Sequence, residues 1–353
     1  MYPALAVVEE LEEKSEVLWV GGEGGMEASL VERAGIKFDA IPAAGVHGVG
    51  WQALPKNLFV LLQGVFAARK ILRQFLPDVL FFTGGYVGVP VALAGWRIPK
   101  LAYVPDIEPG LALKLIGVMA NTIAVTTEKS RQYHGSRRKV VVSGYPTRRA
   151  LHKMTKDMGK AKLKLHDQKP VVLIFGGSRG ARSINLALWS ILGDLLEKAQ
   201  VVHITGNLDW VRTEVAVGSI SDVLREDYHP YAYLHEEMSA ALASTDLVVS
   251  RAGAAILGEY PIFGLPAILV PYPHAWKYQK VNADHLIQLG AAVQIRDEEL
   301  PERLYPTILE LLQDPDRMQS MREAAMKIAR PSAAQLIAQE IEQLARAKGE
   351  VHG

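Results

Sequence analysis

The sequence predicts an α/β protein with two doubly wound, parallel-sheet domains. Short runs rich in β-branched residues alternate with longer helical patterns along almost the whole chain of 353 residues, which is typical of βαβ units. These runs are continuously apolar, as expected of strands that are buried on both faces. At about 100–200 residues per domain, the length favours two domains.

Five strands are predicted in the first half of the chain, each an apolar run. They are Glu16–Val20, Asp78–Phe82, Lys100–Val104, Thr122–Thr126 and Lys139–Ser143. Ahead of them, Pro3 suits the first turn of a helix that an apolar stripe then continues. A doubly wound domain normally opens with a strand and a glycine-rich turn that lead into this helix. The given sequence is therefore expected to start one strand late.

Five more strands are predicted in the second half. They are Val171–Phe175, Val201–Thr205, Asp246–Ser250, Ala267–Pro271 and Ala291–Ile295. Helical patterns lie between them, at Ala181–Leu196 and Asn282–Leu289 among others.

A polar, lysine-rich segment at residues 151–169 separates the two halves and predicts a linker. We therefore expect one domain at residues 1–150 and another at 151–331. From Pro306 onwards the pattern is helical, and Pro331 is expected to end one helix and open the next.

The composition is that of an ordinary globular protein, with 49% hydrophobic and 22% charged residues. Lys and Arg number 39 against 38 Asp and Glu, so no overall field attracts nucleic acid, which is not expected as a partner. The absence of cysteine excludes disulfides, thiolate metal sites and cysteine nucleophiles. No secretory signal is recognisable, and no apolar run reaches the roughly 18–20 residues of a membrane-spanning helix. We expect a cytoplasmic protein.

The strongest motif for ligand binding is the glycine-rich turn Gly176–Gly180, which joins an apolar strand to a helix. Glycines allow a tight turn and close approach to a phosphate, and the helix N-terminus offers unpaired N–H groups. Ser178 adds a hydroxyl donor. The alternative is a turn required only for packing, since the motif matches neither the P-loop nor the dinucleotide-binding pattern.

A second motif follows the strand that ends at Ser250. Residues 251–254 are expected to open a helix carrying Glu259, whose carboxylate could accept both hydroxyls of a ribose or be an ordinary solvated charge. One βα step later comes a polar loop with His274, Tyr278, Gln279 and Asn282. Because loops at the carboxyl ends of adjacent parallel strands converge on one crevice, these residues are candidates for one site.

Two turns in the first half repeat this pattern. Gly84–Gly88 follows a strand and precedes an apolar helix, where a second substrate could dock or the turn could serve packing alone. At Gly144–Arg149, the guanidinium fork of Arg148 could reach a phosphate or lie on the surface.

No metal and no cofactor is predicted. The ten histidines form no H-E-x-x-H pattern, and no D-x-D sequence follows a strand. The helix Leu54–Phe75 is largely apolar and carries Lys56, Arg69, Lys70 and Arg73. Such a helix could rest on an anionic membrane surface or simply pack on its sheet.

Taken together, these motifs resemble the MurG family of glycosyltransferases in peptidoglycan synthesis. Nine matching stretches run in the family's order through nearly the whole chain. They are Tyr2–Val7, Met26–Ile36, Pro77–Pro90, Gly144–Arg148, Gly176–Ala181, Glu236–Met238, Arg251–Glu259, Gly264–Ala275 and Tyr278–Ala283.

The resemblance implies a GT-B fold, in which two Rossmann-like parallel-sheet domains face a cleft and a last helix, here at 332–350, packs back on the first domain. It implies transfer of N-acetylglucosamine from UDP-N-acetylglucosamine to lipid I, with inversion, to form lipid II at the inner face of the cytoplasmic membrane. The helix Leu54–Phe75 falls where the family is thought to touch the membrane, so the resemblance favours a peripheral membrane location.

The resemblance also implies roles for individual residues. Arg148 and Ser178 would bind the donor diphosphate, and Glu259 would bind the ribose. The backbone near His235 would meet the uracil, and Gln279 would hold the sugar. The nucleotide pocket would be lined by Ala254, Ala255 and Ile256. No metal or cofactor is implied.

Two departures from the family pattern affect the catalytic base. The family begins with a strand and a G-G-T-G-G-H loop, whose histidine is a favoured base, whereas here only Met1 precedes Tyr2. We expect a start codon assigned too far downstream. Second, Asp106 falls where the family has the asparagine of an H-E-Q-N stretch. Asp106 or Glu108 is therefore a candidate base for the attacking hydroxyl, and the alternative is a loop change that alters acceptor contacts.

Two other functions remain open at this point. A UDP-N-acetylglucosamine 2-epimerase shares the fold, and it would form epimerised sugar without an acceptor. A non-catalytic nucleotide-sugar binder would bind UDP without transfer.

Overall fold

The computed structural model describes residues 1–11, 15–25, 27–43, 54–136, 138–177, 180–218, 220–273 and 278–352. Their contacts divide the chain into two compact units. Unit 1 comprises Met1–Arg148 together with Pro331–Gly353, and unit 2 comprises Arg149–Arg330.

Strands and helices alternate along both units. The described strands are β1 (Leu18–Gly22), β2 (Lys37–Ile41), β3 (Leu80–Phe82), β4 (Lys100–Val104), β5 (Thr122–Val125), β6 (Lys139–Val142), β7 (Val171–Phe175), β8 (Gln200–Ile204), β9 (Tyr228–Tyr231), β10 (Leu247–Ser250), β11 (Ala267–Leu269) and β12 (Ala292–Gln294). The described helices are α1 (Tyr2–Leu11), α2 (Ala28–Arg33), α3 (Leu54–Phe75), α4 (Gly88–Ala94), α5 (Leu111–Met119), α6 (Arg149–Lys153), α7 (Lys156–Leu163), α8 (Arg182–Leu196), α9 (Trp210–Gly218), α10 (Met238–Ser244), α11 (Glu259–Phe263), α12 (Tyr278–Gln288), α13 (Leu300–Leu312), α14 (Pro315–Lys327) and α15 (Ala333–His352).

Unit 1 contains two parallel sheets. One pairs β1 with β2, and the other has the order β3-β4-β5-β6. In a doubly wound order, the first strand of the domain would lie between β1 and β3. Among the residues that the structure describes, no strand occupies that position. The C-terminal helix α15 packs on α1 and β4, so both ends of the chain belong to this unit.

Unit 2 is one parallel sheet with the order β12-β11-β10-β7-β8-β9. The chain runs outwards from β7 to β9 and then returns to β10 on the other side of β7. This reversal makes the carboxyl ends of β7 and β10 the topological switch point, where α/β sheets bind ligands. The core between the sheet and α8 and α13 is aliphatic, with Ile174, Leu188, Val249 and Ile308 fully buried.

The ten strands predicted from sequence are present, with ends shifted by at most two residues. β2 and β9 are additional, and both lie at the edge of their sheets. Edge strands need not be continuously apolar: β2 is largely exposed, and β9 contains Pro230, which only an edge or strand end tolerates.

The prediction of a linker at residues 151–169 is wrong. Most of the segment forms α6 and α7, and α7 packs on α10 within unit 2. A Cβ at Gly159 would lie 2.5 Å from the carbonyl oxygen of Ala240, so the glycine permits a very close helix contact. Four of the lysines, at positions 153, 156, 162 and 164, are exposed, and Lys156 pairs with Asp246 at 2.5 Å. The polar composition therefore reflects a helix with a narrow buried side.

Candidate functional site

The glycine-rich turn after β7 leads directly into α8. Gly177 and Gly180 have φ of +93° and +75°, and a Cβ at Gly176 would collide with Ala181. These positions therefore require glycine because of backbone conformation and close approach. The 15-residue α8 begins at Arg182, and its first turn contains no acidic residue. Its N-terminus suits an anion. Ser178, proposed as a donor at this turn, lies outside the described residues.

The segment after β10 differs from the predicted continuous helix. A 3₁₀ turn at Ala254–Leu257 precedes α11, and Glu259 is the first residue of that short helix. The hydroxyl of Tyr260 lies 2.6 Å from Ser250 Oγ, and burial raises the pKa of this tyrosine above its ordinary value. This buried bond ties the start of α11 to the end of β10, which keeps the half-buried Glu259 at the carboxyl edge of the sheet.

Ala254, Ala255 and Ile256 are the first three residues of the 3₁₀ turn. The two alanines are half-buried and Ile256 is buried. The amide nitrogen of Asn282 donates to the carbonyl oxygen of Ala252 at 3.3 Å, so α12 is fastened to the same segment. The turn is therefore held from two sides.

Gln279 lies on α12, not on a loop as predicted, and it follows β11. Its Oε1 accepts a hydrogen bond from the backbone N–H of Tyr272 at 2.9 Å. The bond orients the side-chain amide at the carboxyl end of β11, next to the segment that follows β10. Tyr278 and Asn282 are also on α12, whereas His274 lies outside the described residues.

His235 follows β9 at the same edge of the sheet. Its side chain is exposed, and its ring packs against that of Tyr233 with centroids 4.5 Å apart. In unit 2, the structure thus brings α8, the 254–259 segment and Gln279 to three adjacent strand ends, with His235 further along the edge.

Arg148, Asp106 and Glu108 belong to unit 1. The guanidinium of Arg148 lies 4.8 Å from the ring centroid of Tyr2, a cation–π contact. Tyr2 has no sequence signal that identifies it as a partner of a residue so distant in the chain. The contact holds Arg148 beside α1, after the carboxyl end of β6.

Asp106 and Glu108 lie in the turn after β4, which rests on a buried polar cluster. Thr126 Oγ1 lies 2.8 Å from the hydroxyl of Tyr103, and the same oxygen donates to the carbonyls of Val104 and Pro105. Burial, with a contribution from Asp106, raises the pKa of Tyr103 well above its ordinary value. Glu108 pairs with Lys114 at 3.2 Å.

The other glycine turn of unit 1, at residues 84–88, connects β3 to α4. Gly84 and Gly85 have φ of +119° and +84°, a conformation that favours glycine. The backbone conformation of this turn therefore accounts for these two glycines, whether or not a ligand docks there.

Within the described parts of the chain, no three histidine, aspartate or glutamate side chains are grouped closely enough to hold a metal ion. The same residues include no helix that is both long and apolar enough to cross a membrane.

Comparisons with known proteins cover both units. Residues 1–125 match the glycosyltransferase family 28 N-terminal domain, and residues 171–340 match the family's C-terminal domain. The chain is 37% identical to the UDP-N-acetylglucosamine--N-acetylmuramyl-(pentapeptide) pyrophosphoryl-undecaprenol N-acetylglucosamine transferase of Roseiflexus sp. (strain RS-1), over 91% of this chain and 82% of that one.

Solved structures agree with this match. The chain superposes on Acinetobacter baumannii MurG with a TM-score of 0.75 and 25% identity, covering 97% of this chain and 95% of that one. A UDP-GlcNAc 2-epimerase from Neisseria meningitidis bound to UDP-GlcNAc gives a TM-score of 0.67 at 15% identity, over 97% and 96% of the two chains. At that identity the likeness concerns the fold alone. The predicted fold, two parallel-sheet α/β domains of the GT-B type, is confirmed.

Proposed function

The chain belongs to the MurG family within glycosyltransferase family 28, and on this premise we propose that it transfers N-acetylglucosamine from UDP-N-acetylglucosamine to lipid I to form lipid II. One geometric observation carries the donor half of this proposal. The α8 N-terminus, the 254–259 segment and Gln279 follow the three adjacent strands β7, β10 and β11. Sequence similarity over both units supports the acceptor.

Each part of the donor has a residue of matching chemistry. The α8 N-terminus, Ser178 and Arg148 bind the diphosphate, because oriented N–H groups and a guanidinium both favour anions. Glu259 accepts the ribose hydroxyls, and Gln279 binds the sugar. The nucleotide pocket is formed by Ala254, Ala255, Ile256 and the backbone near His235. As the diphosphate leaves, the helix N-terminus and Arg148 stabilise its charge.

The reaction is a single displacement with inversion. A hydroxyl oxygen of the muramoyl sugar attacks the anomeric carbon, the bond from that carbon to the diphosphate oxygen breaks, and UDP departs. A base takes the hydroxyl proton. Asp106 is our candidate for this base. Glu108 is the weaker candidate, because its carboxylate is already engaged in an ion pair with Lys114 at 3.2 Å.

We also propose that unit 1 rests on the inner face of the membrane through an apolar face. This face consists of Phe59, Leu62 and Phe66 on α3 with Leu111, Leu115 and Val118 on α5. All six side chains are exposed, Phe66 to 75%, and α4 packs between the two helices. Arg69, Lys70 and Arg73 are exposed on α3 and suit anionic lipid. The side chain of Lys56 lies outside the described residues.

Substituting this face tests its role in membrane binding. We expect Phe66→Ser combined with Leu115→Ser to reduce co-sedimentation with vesicles of anionic phospholipid, since it removes two large apolar contacts. Gln74→Ser, at an exposed polar position of α3, serves as the control and should bind like the wild type. Undiminished vesicle binding by the double variant would exclude this face.

The transfer reaction is tested with radiolabelled UDP-N-acetylglucosamine and a lipid I analogue. We expect a disaccharide lipid and one equivalent of UDP, with turnover strongly reduced in Asp106→Asn. Intact turnover in that variant eliminates Asp106 as the base. A parallel reaction without acceptor detects epimerised sugar, which would favour a 2-epimerase. UDP binding with no transfer under any of these conditions would indicate a non-catalytic binder.

A further inference from the structure

Arg251 sits where four strand ends of unit 2 meet. It directly follows β10, and its side chain is only 9% exposed. One guanidinium nitrogen donates to Asp297 Oδ1 at 2.5 Å and to the carbonyl oxygen of Val270 at 3.2 Å. The other nitrogen donates to Ser183 Oγ at 2.8 Å. Ser183 is in the first turn of α8, Val270 follows β11, and Asp297 follows β12.

The contacts form a closed, charge-compensated cluster. Ser183 Oγ accepts from Arg251 and donates to Asp297 Oδ1 at 2.8 Å, so the three side chains satisfy one another. Because the charge of Arg251 is neutralised by Asp297, this guanidinium is committed to holding protein groups together. A planar fork with several fixed donors suits this task, and a lysine ammonium cannot reproduce it.

The cluster also reaches the end of the donor site where the sugar is expected. The guanidinium of Arg251 lies 5.2 Å from the ring centroid of Tyr272. The backbone N–H of Tyr272 in turn donates to Gln279 Oε1 at 2.9 Å. A single side chain is thus connected to the helix expected to hold the diphosphate, to the segment leading to Glu259, and to Gln279.

We propose that Arg251 is a positioning residue that sets the spacing between the diphosphate, ribose and sugar contacts of the donor site. The inference rests on the proposed function, because it takes those three contacts as the donor site. Arg251 itself does not touch the donor. Its loss leaves each contact intact but moves α8 relative to the 254–259 segment, so the ribose and the diphosphate cannot both be held well.

The test compares the affinities of UDP and uridine, since their ratio reports how well the diphosphate is held when the nucleoside is already bound. We expect Arg251→Lys to lower this ratio about tenfold, because the bond to Ser183 is lost while the charge remains. Ser183→Ala removes only one hydroxyl and should lower the ratio in the same direction but less. The KM for the acceptor should stay unchanged in both variants.

Arg296→Lys is the matched control. Arg296 directly precedes Asp297 in the chain; its side chain is exposed and pairs with Glu299. This variant should leave the UDP-to-uridine ratio at the wild-type value. Thermal midpoints are measured for all variants, because a purely structural role for Arg251 would lower the midpoint without moving the ratio.

The outcomes separate the inference from the proposed function. A lower midpoint with an unchanged ratio in both Arg251→Lys and Ser183→Ala overturns the positioning role. Should the wild type bind UDP more tightly than uridine but transfer nothing, the transferase proposal fails while a lowered ratio in the variants still supports the inference. A wild type that binds both ligands equally overturns the inference together with the donor site.

Discussion

At the scale of single residues, the proposed contact of Glu259 with the ribose gives the most specific prediction about the ligand. A carboxylate that accepts two ribose hydroxyls distinguishes a ribonucleotide from its deoxy analogue. We expect Glu259→Ala to weaken UDP binding about 10- to 100-fold, because hydrogen bonds to a charged group contribute about 1.5–3 kcal/mol. Calorimetric titration with UDP measures the loss.

The deoxy analogue provides the control for this prediction. The wild type should bind 2′-deoxy-UDP more weakly than UDP, whereas the variant should bind both equally. Glu302→Ala removes an exposed glutamate of α13 and should behave like the wild type. If the variant still discriminates between the two nucleotides, Glu259 does not contact the ribose.

The ring of Tyr2 contacts the guanidinium of Arg148. Substituting Tyr2 therefore measures how much this contact contributes to UDP binding. We expect Tyr2→Ala to raise the dissociation constant of UDP about two- to fivefold, since an exposed cation–π contact is worth about 0.5–1 kcal/mol. Tyr2→Phe keeps the ring and should retain wild-type affinity. Equal losses in both variants would assign the effect to the hydroxyl or to α1 and not to the ring.

At the scale of elements, the packing of β8 against α8 depends on a buried histidine. His203 Nδ1 lies 2.8 Å from the hydroxyl of Tyr228, and its Nε2 lies 3.0 Å from Asn185 Oδ1. Burial lowers the pKa of His203 to about 3 and raises the pKa of Tyr228 to about 12. The imidazole is therefore neutral in the folded protein at any pH at which cells live.

This burial predicts a pH dependence of stability. Between about pH 6.5 and 3 the unfolded chain binds a proton on His203 that the folded protein does not. The free energy of unfolding should therefore fall as the pH falls through this window, by up to about 1.4 kcal/mol per pH unit, and His203 should have no such effect above it. Urea unfolding at several pH values measures the slope.

The control for this slope is a second histidine. His203→Gln should reduce the slope between pH 6 and 4, whereas His152→Gln, at an exposed position of α6, should leave it unchanged. A His203→Gln slope equal to that of the wild type would mean that other groups cause the acid sensitivity.

At the scale of the whole molecule, unit 1 is completed by residues from the far end of the chain. Ala334, Ile337 and Ala338 of α15 are buried, and Glu340 pairs with Lys139 at 2.6 Å. Because α15 covers α1, its apolar side contributes directly to the stability of unit 1.

A core substitution in α15 tests this contribution. We expect Ile337→Ala to lower the free energy of unfolding by about 2–5 kcal/mol, the usual cost of such a truncation in a core. Gln339→Ala, on the exposed side of the same helix, should change it by less than about 0.5 kcal/mol. Equal stability of the two variants would show that α15 is dispensable to unit 1.

The strands, the glycine turns and the order of the motifs were predictable from the sequence alone. A strand buried on both faces must be apolar along its length, as in Val171–Phe175, and a turn at positive φ with close backbone contacts requires glycine, as at Gly180. Both constraints act on neighbouring residues, so they leave a local pattern. The exceptions, β2 and β9, are edge strands that escape the apolar constraint.

Only the tertiary structure revealed how distant residues support the site. Arg251 meets Asp297 and Ser183, which lie 46 and 68 residues away in the chain. These contacts depend on the order β12-β11-β10-β7, which places four separate strand ends side by side. In the same way, residues 151–169 looked like a linker because most of their side chains are polar, while the contact of Gly159 with α10 is set by the partner helix. The local sequence reflects constraints between neighbouring residues, whereas the order of the strands determines which distant residues are in contact.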